Sequence, residues 1–128
     1  FRLDESRIAY GGYSLGGLAA ISSLYSSDKM SLIFSICGSF WYPNFVDYCK
    51  AHQLINKTCS VYLRNGLTEG ANHKNRLAKA PSYAKEVHEC LKKQCLSTYS
   101  EFDPYGHHDN LQERYDAFSD WLIEQWQL

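Results

Sequence analysis

The stretch Gly12-Tyr13-Ser14-Leu15-Gly16 constrains this chain more than any other. A short apolar run at residues 7–10 precedes it, and a small-residue segment rich in Gly and Ala follows. Gly-x-Ser-x-Gly between a strand and a helix is the pattern of a nucleophilic serine held on a sharp turn. The reversal puts the serine in a strained backbone conformation, a cost tolerated mainly at functional sites. Side chains two residues to either side would collide, so glycine is expected at both places. The helix that follows points its free N–H groups at the serine, where developing negative charge is stabilised. Ser14 is the expected nucleophile.

The rest of the chain alternates strand and helix. Residues 1–6 form a polar lead-in, and a first helix is expected over residues 15–26, with Leu18, Ile21, Leu24 and Tyr25 on its apolar face. Residues 31–37 are apolar almost throughout, as suits a parallel strand covered on both faces. The aromatic loop Phe40-Trp41-Tyr42-Pro43 follows at the strand's C-terminal edge, where open α/β sheets bind ligands. Trp41, Tyr42 and Tyr13 are therefore candidate substrate-lining residues, against the plainer reading that they cap the core. A short helix is expected over 44–53, a strand over 60–63 and a polar loop over 64–77. A helix over 81–94 buries Ala84, Val87 and Leu91. Residues 96–102 alternate as an edge strand would, and 103–108 form a turn-rich loop. Asp109 with Gln112 reads as a capping box for a last helix. That helix carries Leu111, Tyr115, Phe118, Trp121 and Leu122 at helical spacing, and Trp121 and Trp126 read as core or interface residues. The order β-α-β-α-β-α-β-α specifies a mostly parallel sheet of about four strands with flanking helices.

Composition narrows the function classes. The chain has 128 residues, with ten Tyr, six Phe and three Trp, enough for one domain with a modest core. Thirteen basic and fourteen acidic residues give a formal net charge of −1. No basic stripe points to nucleic acid, and no apolar run reaches the length of a membrane span. No signal peptide is visible. The five cysteines, Cys37, Cys49, Cys59, Cys90 and Cys95, lack metal-like or Cys-x-x-Cys spacing. An odd number of that kind points to reduced thiols and a cytoplasmic protein.

A nucleophilic serine needs a base, and the base an orienting carboxylate. Of the histidines, His52 and His88 fall on helices among polar neighbours and are expected to be solvated. His73 lies in the polar loop, within reach of a substrate. The pair His107-His108 follows the last strand, where a base is required. His108 is favoured, because it directly precedes the final helix and the loop must turn back toward the serine. Adjacent loop histidines lack the i, i+4 geometry of helical zinc ligands, so no metal is expected. For the carboxylate, Glu69 competes with Asp103 and Asp109. Glu69 follows a strand end, Asp103 precedes Pro104 and reads as shaping the turn, and Asp109 reads as a cap.

Four segments together resemble the esterase D-like branch of the α/β-hydrolases, which includes enterochelin-type esterases. They are residues 7–20 with the doubled Gly16-Gly17, and Cys37-Gly38-Ser39-Phe40-Trp41 for that branch's S-G-S-x-W. The others are Val61-Tyr62-Leu63 with Gly66 and Glu69 for its strand and G-D-x-E, and Asp103-Pro104-Tyr105-Gly106-His107-His108 for its P-G-x-H loop. The resemblance implies Ser14 as nucleophile, Glu69 as acid, His108 as base and the N–H of Leu15 as one oxyanion donor. It departs at Leu67, where the family pattern has aspartate, and at Tyr105, which stands between proline and glycine. The implied activity is hydrolysis of a small-molecule carboxylic ester through an acyl-enzyme, without cofactor. A non-catalytic binding module and an acyltransferase with the same triad are the alternatives. The chain reaches its serine by position 14, so residues 1–128 are expected to form one partial domain, the C-terminal part of an α/β-hydrolase fold beginning just before the nucleophile strand. The missing N-terminal half, or a second copy, is then expected to cover the open edge of the first strand.

Overall fold

The computed structural model describes Asp4 and residues 6–127, so most of the polar lead-in lies outside the described residues. Four strands, β1 (Ala9–Tyr13), β2 (Leu32–Ile36), β3 (Ser60–Gly66) and β4 (Thr98–Asp103), pair in parallel in the order β1-β2-β3-β4. Helices α1 (Leu15–Ser23), α2 (Phe45–Ala51), α3 (Ala80–Gln94) and α4 (Leu111–Trp126) follow them in turn, with a short 3₁₀ turn at Arg76–Lys79 leading into α3.

The period-2 alternation of the strands divides the apolar residues between two layers. Ile33, Val61 and Leu63 pack on one face with Ala20, Ile21 and Leu24 of α1, Val46 and Cys49 of α2, and Ala84, Val87 and Leu91 of α3. Leu32, Ile36 and Tyr62 pack on the other face with Phe118 of α4. There Phe118 stacks on Phe34 at 4.1 Å and meets Tyr62 edge-on at 5.3 Å, and Trp121 tilts against Tyr62 at 5.2 Å. Burying each such Val, Leu or Phe side chain contributes about 1.5–3 kcal/mol, which is why the two central strands are apolar almost throughout.

The main departures from the sequence reading each have a local reason. β1 runs on through Gly11, Gly12 and Tyr13. The ring of Phe34, the β2 partner of Gly11, lies where a Cβ on that glycine would come within 2.1 Å, so the neighbour's ring fills the face the glycine leaves bare. α1 stops at Ser23, where the hydroxyls of Ser22 and Ser23 bond back to Leu18 and Ala20 carbonyls and compete with the helix ladder. β3 continues through the polar Arg64-Asn65-Gly66, since all three pair with β4 and Arg64 meets Asp103 there. Asp109 does not cap α4. The N-cap is Asn110, in a left-handed conformation with no side-chain bond, while Asp109 accepts the N–H of Gly106 and Gln112 bonds Asp116.

Among the described residues, β1 and β4 form the two edges of the sheet. No described helix is long and apolar enough to cross a membrane. All five cysteines are free thiols.

Candidate active site

The site lies at the C-terminal ends of the strands. Ser14 sits between β1 and α1 with φ 61° and ψ −119°, a conformation non-glycine residues rarely adopt. Three backbone bonds hold it there. Its N–H donates to Ile36 O, and its carbonyl accepts from Leu18 and Ser39 N–H. The expected glycine collision is real on one side only. A Cβ on Gly12 would meet the Gly16 backbone at 2.7 Å, whereas one on Gly16 meets nothing within 4 Å.

Glu69 lies in the turn after β3 and is 4% exposed. Its Oε2 accepts from the Gly66 N–H at 2.7 Å and from Asn65 Nδ2 at 3.1 Å. Its Oε1 lies 2.6 Å from His107 Nδ1. A carboxylate only accepts, so Nδ1 carries the proton and Nε2 is left with a lone pair. That Nε2 lies 3.1 Å from Ser14 Oγ. Serine, imidazole and carboxylate thus form one hydrogen-bonded chain drawn from three loops.

The histidine in this chain is His107 and not His108. His108 points its Nδ1 at the Tyr13 hydroxyl, 2.9 Å away, and that hydroxyl donates to the His107 carbonyl at 2.7 Å. The tyrosine ring also stacks on His107 at 5.1 Å. Burial pushes the Tyr13 hydroxyl up to about 12, so it is a neutral donor. The signal was present in the loop. Counted back from the histidine, P-G-x-H puts three residues between proline and base inclusive of the base, and the third residue after Pro104 is His107. Counting from Gly106 lands one residue late, because Tyr105 occupies the glycine's place.

Asp103 and Asp109 stand outside the chain of bonds. Arg114 Nε and Nη2 fork onto the two Asp103 oxygens at 2.8 and 2.7 Å, and Arg64 Nε adds a third bond at 3.1 Å. Burial pushes the Asp103 carboxyl up, but these bonds and the Tyr105 N–H outweigh it and hold the group below its ordinary value. Arg114 is fully buried, and its Nη1 donates to the carbonyls of Gly106, His107 and Asp109. One buried guanidinium thus ties the histidine loop to β4, beside the brace that the Tyr13 hydroxyl supplies. Sequence reasoning passed over Arg114, although its place three residues after Leu111 and four before Phe118 sets it on the apolar face of α4.

A cleft of about 200 Å³ opens over Ser14, lined by Ser39, Trp41, His73, Leu77, His107 and His108 among others. Trp41 and His73 stand where a bound group would touch them. Tyr42 does not line it and is 51% exposed. Tyr13 also stays out of the lining and braces the histidine loop instead. Ser39 Oγ lies 3.3 Å from Ser14 Oγ. As the first residue of α1, Leu15 has no partner within the helix for its N–H.

Cys37 lies beneath the site with φ 54°, and its Sγ, a Glu69 oxygen and a His107 nitrogen fall within 4.8 Å of one another. Burial pushes the thiol well above its ordinary range, so it stands as a neutral S–H beside the carboxylate. The facing Glu69 and His107 atoms already bond each other, which leaves this trio poorly disposed for a cation. A larger open groove of about 650 Å³ runs between α2 and α3, past Lys50, His52, Lys85, Cys90 and Lys93.

His88, expected to be solvated, is 1% exposed. Its nitrogens bond Ser100 Oγ and Asn65 Oδ1, and its ring tilts against Phe102 at 4.4 Å. The polar residues around it in sequence lie on the opposite, wet face of α3.

The structure is similar to enterochelin esterase from Shigella flexneri, with a TM-score of 0.71 and 23% identity over 99% of this chain and 32% of that one. The fold is that of the α/β-hydrolases. Ferric enterobactin esterase from Salmonella typhimurium gives 0.65 and 21% identity over 97% of this chain and 31% of that one. The acylaminoacyl peptidase of Pyrococcus horikoshii gives 0.62 and 17% identity over 95% and 24%. Among curated sequences, the uncharacterised protein YbbA of Bacillus subtilis is 29% identical over 119 residues, 87% of this chain and 47% of that protein. The chain spans about half the length of that curated relative, and about a third or less of the solved structures. No family model matches the chain.

Proposed function

We propose that this chain carries the nucleophile, base and acid of a serine hydrolase that cleaves carboxylic esters. The observation behind this reading is the run of two bonds, Ser14 Oγ to His107 Nε2 at 3.1 Å and His107 Nδ1 to Glu69 Oε1 at 2.6 Å. Ser14 Oγ attacks the acyl carbon as His107 Nε2 takes its proton. Glu69 holds the imidazole in the required tautomer and steadies the imidazolium. The N–H of Leu15, at the positive end of α1, binds the oxyanion. The imidazolium then protonates the departing alkoxide, leaving an acyl-enzyme. Water attacks the acyl carbon by the same route in reverse roles, with His107 again as base. An alcohol in place of that water turns the same steps into acyl transfer. The cleft beside Trp41, His73 and Leu77 suits a small acyl group.

The outer edge of β1 presents ladder donors and acceptors that no described strand takes up, a liability that proteins cover. A further segment of a longer protein or a second copy of the chain is the proposed cover.

Intact-mass analysis after treatment with a fluorophosphonate tests the reading. One adduct on the wild-type chain and none on Ser14→Ala is the expected result. A folded wild-type chain that takes no adduct, or an adduct that survives in Ser14→Ala, overturns it.

A further inference from the structure

We propose that Asn65 and His88 are positioning residues that aim the Glu69 carboxylate at His107, through a line of hydrogen bonds running from β4 to the nucleophile. The inference rests on the serine-hydrolase reading above and adds two residues that no motif in the chain marked.

The directions of these bonds follow from chemistry alone. Asn65 is 1% exposed and its amide faces three partners. Glu69 Oε2 and Gly38 O, at 3.1 and 3.3 Å, can only accept, so Nδ2 must face them. Oδ1 is thereby turned to His88 Nε2, 2.8 Å away, which must carry a proton. His88 Nδ1 is then a lone pair and accepts from Ser100 Oγ at 2.7 Å. A single arrangement satisfies every group in the line. A flipped Asn65 amide would set Oδ1 against a carboxylate oxygen and Nδ2 against an N–H, so the imidazole of His88 locks the amide that locks Glu69.

The placement of His88 argues for this task. Its neighbours on the buried face of α3 are Ala84, Val87 and Leu91, and Phe40 and Phe102 flank its ring. An apolar side chain would fill that site without the cost of burying a polar ring. Burial, then the charge of Lys92 one turn along α3, hold the imidazole neutral, with its titration lowered to about 3. It thus keeps the one tautomer the line requires across the working pH range. Among the described residues, Asn65 and Ser100 bond the ring, and Phe40 and Phe102 pack against it.

The test measures the rate constant and the half-saturating concentration for fluorophosphonate labelling of Ser14 in the wild type, His88→Phe, His88→Gln and Asn65→Asp. Proton NMR of the His107 Nδ1–H, whose short bond to Glu69 shifts it far downfield, is recorded beside it. Thermal unfolding identifies the variants that are folded. His88→Phe leaves Asn65 Oδ1 buried and unpaired and should label roughly 10- to 100-fold more slowly at an unchanged half-saturating concentration, the size of a buried polar group left without its partner. His88→Gln, whose amide N–H can still reach Asn65 Oδ1, should recover to within about threefold of the wild type, by the same bond restored. The downfield proton should move or vanish in the first and persist in the second. Where His88→Phe does not fold, Asn65→Asp decides, since it sets a second carboxylate against Glu69 and should slow labelling as much. Wild-type labelling and an unmoved proton in the folded His88→Phe or Asn65→Asp variant overturn the inference. A wild-type chain that shows the downfield proton and its loss in His88→Phe, yet takes no label, supports the positioning role and sinks the hydrolase reading instead.

Discussion

At the scale of single residues, the site depends on which of two adjacent imidazoles faces the serine. His107 lies between Ser14 and Glu69, and His108 bonds the Tyr13 hydroxyl. The two make opposite predictions. His107→Ala should lower hydrolysis of a p-nitrophenyl ester by roughly 10⁴-fold or more, as loss of a triad member does. His108→Ala should cost less than about tenfold, since it removes one brace and leaves the base in place. Steady-state rates of the two purified variants check this, and the reverse order would return the base to His108. Gly12 and Gly16 divide in a similar way. The same motif names both, but close backbone approach needs a glycine only at Gly12. The sharp turn at Ser14 was legible from five residues, because a positive φ at a serine leaves a local mark. The choice between two neighbouring histidines left a divided mark, since counting from Pro104 gives His107 and counting from Gly106 gives His108, and it is settled by how the loop is pinned from outside.

At the scale of elements, that pin is Arg114 on α4. Its guanidinium ties the last strand, through Asp103, to the histidine loop, through three carbonyls. Arg114 and Asp103 are both buried, so breaking the pair leaves the Asp103 charge without its main partner. Arg114→Leu should destabilise the fold by about 3–5 kcal/mol, as removal of one member of a buried ion pair does. It should also slow ester hydrolysis at temperatures where the variant is still folded. Urea unfolding followed by circular dichroism measures the first effect and initial rates the second. An Arg114→Leu variant with wild-type stability would refute this account of the loop. Helix and strand identity were legible in the hydrophobic periods of α1, α3 and β2. The ends were not, because Ser22 and Ser23 unwind α1 by side-chain bonds and β3 runs on into polar residues only where β4 pairs with it.

At the scale of the whole molecule, two buried titratable groups contribute to the acid side of stability. His88 is held neutral down to about 3 against an ordinary 6.5, so the unfolded chain binds a proton in that window and the folded chain does not. Stability therefore falls as pH drops from about 6.5 toward 3, by up to about 1.4 kcal/mol per unit. Asp103, held below its ordinary 3.8, contributes stability above that value and loses it as pH falls through its lowered one. Urea midpoints should thus change little between about pH 7 and 8 and fall steadily below about pH 6. His88→Gln should flatten the part of the fall between about pH 6.5 and 4, and a slope unaltered by that substitution would remove His88 from the account.

The sequence by itself determined the order of elements, the parallel sheet and the serine on its turn. Each is written in short-range patterns: an apolar period, a glycine spacing, a change from strand to helix. It also carried Glu69, because a carboxylate just past a strand end can be counted along the chain. Only the tertiary structure decided that His107 faces the serine, that Asp103 belongs to Arg114, and that His88 is buried behind Asn65. Those partners lie 11 to 93 residues apart in the chain, apart from Asn65 and Glu69, and no local pattern records which distant donor reaches which acceptor. The packing of α3 and α4 against opposite faces of the sheet brings them into reach, and the need to satisfy every buried polar group then leaves one arrangement.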